Sequence, residues 1–456
     1  MQTAQSDVLS FVGDTPVLEV TKLDTGPCRL FLKLENKNPG GSIKDRIGLA
    51  MIRAAEDAGA LGGDKRHLIE ATAGNTGLSL ALVAAQRGYK LTLVIPDKMS
   101  QEKIFHLKAL GAEIILTRSD VGKGHPEYYQ DVAQRLATET GAFYVNQFEN
   151  PANALAHETT TGPEIVAQLG GELDAMVCGV GSGGTLTGLS RHFAKAMPKC
   201  EMVLADPEGS VLAGYVKTGA LGTAGSWFVE GIGEDFIPKI CDLSRVGTAY
   251  TIPDAESFAT ARLLLREVGV LGGSSTGTLV AAALRYCREQ TTPKRVCTLV
   301  CDSGNKYLSK MFNDFWMADQ GFIQRPKTGD LREIIAHRFA DHTVFTVGPD
   351  DALLVAYARM KLYDVSQLPV VEGGKVVGVV DESDLLVVSV DDPTKLRKKV
   401  REVMASRVRT VDVNTPTHDL LPLFDQGLVP IVVDGDELVG LVTRIDVLNY
   451  LRRKLR

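Results

Sequence analysis

The chain has 456 residues, 44% of them hydrophobic, and a formal net charge of −6. That length predicts two or three domains with sizeable cores, and a mildly acidic balance without a basic block excludes a dedicated nucleic-acid binder. No apolar run reaches membrane-spanning length, Met1–Gln5 shows no signal-peptide pattern, and the seven scattered cysteines form no C-x-x-C pair; a cytoplasmic protein without structural zinc, redox dithiol or other metal centre is expected.

Leu30–Glu35 is a short apolar run with partial alternation and predicts a strand. Asn36–Gly41 carries turn chemistry, Ser42 is a good N-cap, and Ile43–Ala58 has helical periodicity. Lys44 therefore falls in the first turn of a helix, where the helix-end potential and burial both disfavour the ammonium form. Most single lysines are solvated surface charges, so the residue needs company before it means catalysis. His67–Ile69 predicts a second strand. The string Glu70–Gly77 follows and leads into an apolar helix, Leu78–Gln86. Thr72, Ala73, Gly74, Asn75 and Thr76 there offer hydroxyls, an amide and open backbone at a helix start. That suits a small carboxylate, though a capped loop would look the same.

Ala175–Cys178 predicts a buried strand, Gly179–Thr185 a glycine turn, and Thr185–Ala196 a helix. Strand, glycine turn and helix N-terminus make an anion cradle from Gly181, Ser182, Gly183, Gly184 and Thr185. A dinucleotide reading stays open, because Asp206 ends the predicted strand Met202–Ala205, but the glycine spacing is not G-x-G-x-x-G. Gly272–Gly277 opens a helix over Thr278–Tyr286. Ser274 could there bond a ring nitrogen or simply cap the helix. An amine at one helix start and a phosphate cradle at another would be joined by a cofactor carrying an aldehyde and a phosphate. Pyridoxal phosphate is such a cofactor.

In order and spacing, these four strings resemble the fold-type II pyridoxal-phosphate enzymes, and within them cystathionine β-synthase and cysteine synthase, over residues 5–317. The resemblance implies that Lys44 holds the cofactor aldehyde and that Asn75 meets the cofactor's ring oxygen. It implies that Gly181–Thr185 hold the phosphate and that Ser274 faces the pyridine nitrogen. Thr72, Gly74, Asn75 and Thr76, with Gln147, match the loops that hold the substrate carboxylate, and Glu230–Gly233, with Gly231 and Gly233, matches the loop that closes over the substrate. A serine facing the pyridine supplies no negative charge, so the ring is a weaker electron sink than one facing an aspartate, which suits elimination from Cβ. Three positions depart from the animal enzyme. Ala73 stands where it has serine, and Phe148 and Glu234 each stand where it has tyrosine; Glu234 could meet the α-ammonium of a second substrate or be a solvated loop charge. Few residues precede the first matching segment, so the haem-binding segment of the animal enzyme, and haem itself, are not expected.

After Trp316 the chain becomes polar, and residues 318–335 read as a linker. An internal repeat follows. Leu368–Val371, Lys375–Val380 and Asp384–Leu386 form one copy; Val429–Val433, Glu437–Val442 and Asp446–Leu448 form the other. Each reads as strand, hairpin, strand, helix. The pair resembles the tandem regulatory module found in cystathionine β-synthase, which implies an adenosine-type effector such as S-adenosylmethionine. Thr443 and Asp446 match the string that holds ribose and phosphate in similar modules. Asp381 and Asp384 are their counterparts in the first copy, with an aspartate that disfavours a polyphosphate.

The reading is an α/β chain: a fold-type II core of two open α/β subdomains over 1–317, a linker over 318–335, and a tandem CBS-motif module over 336–456. The expected activity is β-replacement of the L-serine hydroxyl by L-homocysteine to give cystathionine and water, with hydrogen sulfide from side reactions, in a homodimer or larger homo-oligomer. Two alternatives remain: a cysteine synthase carrying a regulatory module, and an inactive sensor of adenosine ligands.

Overall fold

The structure, a computed structural model, describes residues 5–454 apart from 73, 98–100, 123, 325–327, 336–343, 364, 407, 427 and 436. The chain divides into two compact units, Met1–Phe312 and Asn313–Arg456. Strands of the first unit are β1 (Val17–Val20), β2 (Arg29–Lys33), β3 (His67–Glu70), β4 (Lys90–Pro96), β5 (Glu113–Thr117), β6 (Phe143–Tyr144), β7 (Ala175–Cys178), β8 (Glu201–Pro207), β9 (Val246–Ile252) and β10 (Arg295–Leu299). They form a six-stranded sheet in the order β1-β2-β10-β7-β8-β9 and a four-stranded sheet in the order β5-β4-β3-β6. All pairings are parallel except that of β1 with β2. Helices cover both faces of a parallel sheet, which is why β7 reads as an unbroken apolar run and is buried throughout.

Helices α1 (Lys44–Asp57), α2 (Asn75–Arg87) and α3 (Gly184–Ala196) each follow the carboxyl end of a strand, and α4 (Ser274–Arg288) leads into β10. Ligands of open α/β sheets bind at those carboxyl ends. α1 and α2 contribute Ile47, Met51, Leu80 and Val83 to one buried core. A Cβ on Gly48 would lie 2.1 Å from Ser79 Oγ, so the close approach requires glycine there.

Helix starts differ from the sequence expectation. α2 begins at Asn75 rather than Leu78, and α4 at Ser274 rather than Thr278, because packing overrides the weak helix propensity of Asn, Ser, Thr and Gly. The N-cap of α1 is Ile43, not Ser42; Ser42 Oγ accepts the Lys44 N–H at 3.3 Å from one position further out. The first predicted strand ends at Lys33, and Glu35–Lys37 forms a 3-10 turn.

A buried ion cluster fixes the base of α1. Arg46, in its first turn, donates to Glu35 at 2.7 and 2.8 Å and to Glu164 at 2.7 Å through two nitrogens. Lys33, wholly buried on β2, donates to Glu164 and to the Thr15 carbonyl, both at 2.6 Å. Burial alone would raise the Glu164 carboxyl, but Arg46 and Lys33 outweigh it and hold the group at about 2.

The second unit contains the repeat. In the first copy β11 (Gln367–Glu372) and β12 (Lys375–Asp381) form an antiparallel hairpin. Helix α5 (Leu353–Tyr363) precedes it and α6 (Glu382–Ser389) follows. In the second copy β13 (Thr410–Asp412) runs parallel to β14 (Ile431–Asp434), which pairs with β15 (Glu437–Leu441) ahead of α7 (Arg444–Lys454). The same irregularity recurs in both hairpins, between Val370 and Val371 and between Val432 and Val433. The boundary is a correction. The compact unit starts at Asn313, not after a linker ending at 335. Leu331, Ile334 and Ile335, assigned to the linker from sequence, are buried with Leu420, Phe424, Val432 and Val447 in the second copy's core. Their apolar spacing is masked in sequence by the polar stretch before them. Among the described residues no helix is long and apolar enough to cross a membrane, and no group of histidine, cysteine and acidic residues could hold a metal ion.

Candidate active site

Lys44 opens the first turn of α1 and faces a cavity also lined by Asn75, Gly181, Gly183, Thr185 and Ser275. The other three strings thus line the cavity that the amine faces. Loss of hydration lowers the Lys44 amine below the usual lysine range, opposed by the charges of Cys301, Glu234 and Asp302. A lysine that gives up its proton readily is a nucleophile and a base.

The glycine turn is shaped by close approach. Gly183 is the N-cap of α3 with φ 90°, a conformation that favours glycine, and a Cβ there would lie 2.5 Å from Cys241 Cβ. A Cβ on Gly181 would lie 2.5 Å from the Gly231 carbonyl, and a Cβ on Gly184 would lie 1.9 Å from Asn153 Oδ1. The turn is also tied from outside. Asn153 Nδ2 donates to Ser182 Oγ at 2.9 Å and to the Gln147 carbonyl at 2.8 Å. Thr185 Oγ1 lies 3.1 Å from His157 Nε2, and His157 Nδ1 lies 2.9 Å from Thr161 Oγ1. Burial, reinforced by Arg46 and Lys44, keeps His157 well below its ordinary pKa and therefore neutral.

Asn75, the first residue of α2, is gripped at both ends of its amide. Its Nδ2 donates to Asp302 Oδ2 at 2.8 Å and its Oδ1 accepts from Lys306 Nζ at 2.6 Å. Tyr307 donates its hydroxyl to the same Asp302 oxygen at 2.8 Å. Burial raises the Asp302 carboxyl, and Lys306, Asn75 and Tyr307 oppose that rise. Ser274 is buried and accepts the Glu230 N–H at 2.9 Å; its neighbour Ser275 is the serine of that string that lines the cavity. The Glu230 carboxylate is paired with Lys103 and Lys310, which anchors the Glu230–Gly233 loop, and the Gly233 N–H donates to the Val180 carbonyl at 2.8 Å.

The third string is organised from beneath. Thr72 Oγ1 accepts the Gly74 N–H at 3.2 Å, and Thr76 Oγ1 donates to Gln147 Oε1 at 2.7 Å, so the Glu70–Gly77 string touches the one that carries Gln147. Glu70, fully buried below them, accepts the N–H groups of Ala71 at 2.9 Å and Gln147 at 3.2 Å. Burial pushes its carboxyl up to about 7 against the pull of those donors. Ala73 lies outside the described residues. Glu234 is half-buried rather than solvated, and its carboxyl is pushed up to about 8 by burial, then by Asp235 and Asp206, against the opposing charge of Lys44. Phe148 packs against Phe236 with ring centroids 6.1 Å apart.

Sequence reasoning missed Asp302, Lys306, Tyr307, Asn153, His157 and Glu70 as supports of the site. The string Asp302-Ser303-Gly304 directly after β10 is the signal that could have found the first three, since it combines an acid and turn chemistry at a strand's carboxyl end. In the second unit Thr443 and Asp446 face each other: Asp446 accepts the Thr443 N–H at 2.8 Å and its hydroxyl, at the start of α7. Asp381 and Asp384 exchange N–H donations of 2.9 and 3.0 Å in a capping box at the start of α6.

Pyridoxal phosphate fits the residues of the first unit. The turn that would take the phosphate is left open by glycines whose Cβ positions are occupied by neighbouring chain, its backbone caps α3, and a desolvated amine shares the same cavity. Residues 8–302 match the family model described as pyridoxal-phosphate dependent enzyme, and residues 332–391 and 400–453 match the CBS domain. The chain is 37% identical over 463 residues to the cystathionine beta-synthase of Dictyostelium discoideum, covering 98% of this chain and 92% of that protein. It is 33% identical over 499 residues to the cystathionine beta-synthase of Saccharomyces cerevisiae, covering 98% of each. Among solved structures, an O-acetylserine dependent cystathionine beta-synthase from Helicobacter pylori is 36% identical over 68% of this chain and 99% of that one, with a TM-score of 0.62.

Proposed function

The chain belongs to the pyridoxal-phosphate dependent enzymes, within the cystathionine β-synthase family, and from that membership we propose that it replaces the β-hydroxyl of L-serine with the thiol of L-homocysteine to give cystathionine and water. The observation that carries the proposal is the cavity in which the Lys44 amine, the Asn75 amide and the Gly181–Thr185 turn converge. Bound there, pyridoxal phosphate supplies an electron sink for the negative charge left when Cα loses its proton. Gly181–Thr185 would hold the phosphate with backbone N–H groups, Asn75 would meet the ring oxygen, and Ser274, whose hydroxyl also accepts the Glu230 N–H, would face the ring nitrogen. Thr72, Gly74 and Thr76, braced by Gln147, take the substrate carboxylate. The Lys44 amine removes the Cα proton and returns a proton to the departing hydroxyl. The Glu230–Gly233 loop, pinned by Lys103 and Lys310, closes the site to water.

A second reading has a specific observation behind it. Phe148 and Glu234 replace tyrosines of the animal enzyme at the mouth of the site, and the similar Helicobacter pylori enzyme is O-acetylserine dependent. An acetyl leaving group, or sulfide as nucleophile, would then serve in place of the hydroxyl and homocysteine. Turnover of serine with homocysteine against O-acetylserine with sulfide, products identified by mass, decides between them. Dominant cystathionine formation from serine supports the proposal, and cysteine from O-acetylserine alone overturns it.

The working enzyme is proposed to be a cytoplasmic homodimer or larger homo-oligomer without haem, so its visible spectrum lacks a Soret band. The paired CBS domains are proposed to take an adenosine compound. Thr443 and Asp446 would contact ribose in the second copy, and Asp381 in the first disfavours a polyphosphate, which favours S-adenosylmethionine over ATP. Calorimetry with S-adenosylmethionine, AMP and ATP tests this.

A further inference from the structure

We propose that Asp302 is a positioning residue: with Lys306 it locks the Asn75 amide in the one orientation that presents a free N–H to the cofactor's ring oxygen. The inference rests on the reading that Asn75 faces that ring.

A side-chain amide can be turned end for end at little steric cost, and the two orientations offer a ligand opposite groups, a donor or an acceptor. Around Asn75 the choice is made by charge. Asp302 Oδ2 takes one N–H at 2.8 Å, and the Lys306 ammonium donates to the amide oxygen at 2.6 Å. In the flipped amide, oxygen would face a carboxylate and N–H groups would face an ammonium. With both partners in place, the second N–H of Nδ2 is left for the cavity that Asn75 lines. Charge-assisted hydrogen bonds of this kind are roughly twice as strong as neutral ones.

Asp302 is itself fixed by the other strings. Its backbone carbonyl accepts the Gly273 N–H at 3.1 Å. On either side, the Cys301 carbonyl accepts the Ile43 N–H at 2.8 Å and the Ser303 N–H donates to the Gly41 carbonyl at 3.0 Å. Its carboxylate lies against Gly273, where a Cβ would come within 1.9 Å of Oδ1, and Tyr307, only 4% exposed, donates to Oδ2. The segment after β10 therefore bonds the lysine string, the amide string and the serine string at once. Asp302 converts the relative placement of those strings into the orientation of one amide.

The test is a double-mutant cycle on the pyridoxal-phosphate-loaded full chain, read by the visible absorption band and the cofactor Kd. Asn75→Ala and Asp302→Ala should each shift the band to shorter wavelength and raise Kd about 10-fold, the worth of one charge-assisted hydrogen bond. The double variant should be no worse than Asn75→Ala alone. Asp302→Asn, which keeps an acceptor for the Asn75 N–H, should recover most of the band position. Lys306→Met should shift the band in the same direction, and it carries the test if Asp302→Ala does not fold. Additive effects in the double variant, or an unmoved band in both Asp302→Ala and Lys306→Met while Asn75→Ala shifts it, would overturn the inference alone. An unmoved band in Asn75→Ala would overturn the reading of Asn75 and the inference with it.

Discussion

At the helix starts of the catalytic unit, polar side chains find partners far along the chain: Asn75 with Asp302, Thr185 with His157, Ser182 with Asn153. At the helix starts of the C-terminal unit they find partners three residues away: Asp381 with Asp384, Thr443 with Asp446. The local device accepts backbone N–H groups at the helix N-terminus, whereas the distant one joins side chain to side chain. The local one stabilises a helix and asks nothing of the rest of the fold. The distant one ties helix starts from two sheets into one cavity, so the site exists only when the whole unit is folded. The catalytic unit accordingly carries buried charges with several partners each, whereas the paired residues at these helix starts of the C-terminal unit serve as caps.

The largest expected effect removes the amine on which the distant contacts converge. Lys44→Ala should lower kcat by more than about 10³-fold, since nucleophile and base vanish together, and leave the melting temperatures of both units nearly unchanged. Borohydride should attach pyridoxal phosphate to Lys44 in the wild-type chain; mass spectrometric recovery of the label on another lysine would refute the assignment.

Arg46→Met tests whether the first unit depends on its buried ions. Glu35 and Glu164 lose a shared partner, and the cost should be about 3–5 kcal/mol. It should appear as a lowered denaturation midpoint in the first unit's transition, with that of the second unit unmoved. A shift of both transitions would mean that the two units unfold together.

Glu234 sharpens the comparison at the substrate mouth. Its carboxyl is held at about 8, so the free enzyme carries it mostly protonated at neutral pH and ionised above. If it meets the ammonium of homocysteine, the KM for homocysteine should fall several-fold as pH rises through about 8, and Glu234→Gln should abolish that trend while leaving the serine KM alone. Equal effects on both substrates would indicate damage to the loop instead.

The smallest effect belongs to the local device. Asp446→Ala removes an acceptor of the Thr443 N–H and should cost about 1 kcal/mol, confined to the second unit's transition, with basal turnover unchanged. A loss of adenosine-ligand binding beyond that cost, seen by calorimetry, would show that the capping pair also contacts ligand.

By itself the sequence determined the two-part organisation, the strand–turn–helix units and the chemistry of the turns. Strand β7 appears where its apolar run places it, and the repeat is visible because both copies keep glycines at the hairpin turn and an acid at the start of the helix. Such features are local, since periodicity, turn residues and caps act within a few positions. Lys44 at a helix start was legible for the same reason. Only the tertiary structure decided that Asp302, held by Tyr307, and Lys306 grip Asn75, that Asn153 and His157 brace the glycine turn, that Glu70 lies beneath the Thr72–Thr76 loop, and that Leu331, Ile334 and Ile335 belong to the second core. These side chains act at positions far from their partners in sequence, where no spacing rule applies. The sheets that bring their backbones together are what make them neighbours, and burial there turns ordinary polar groups into the supports of a reactive site.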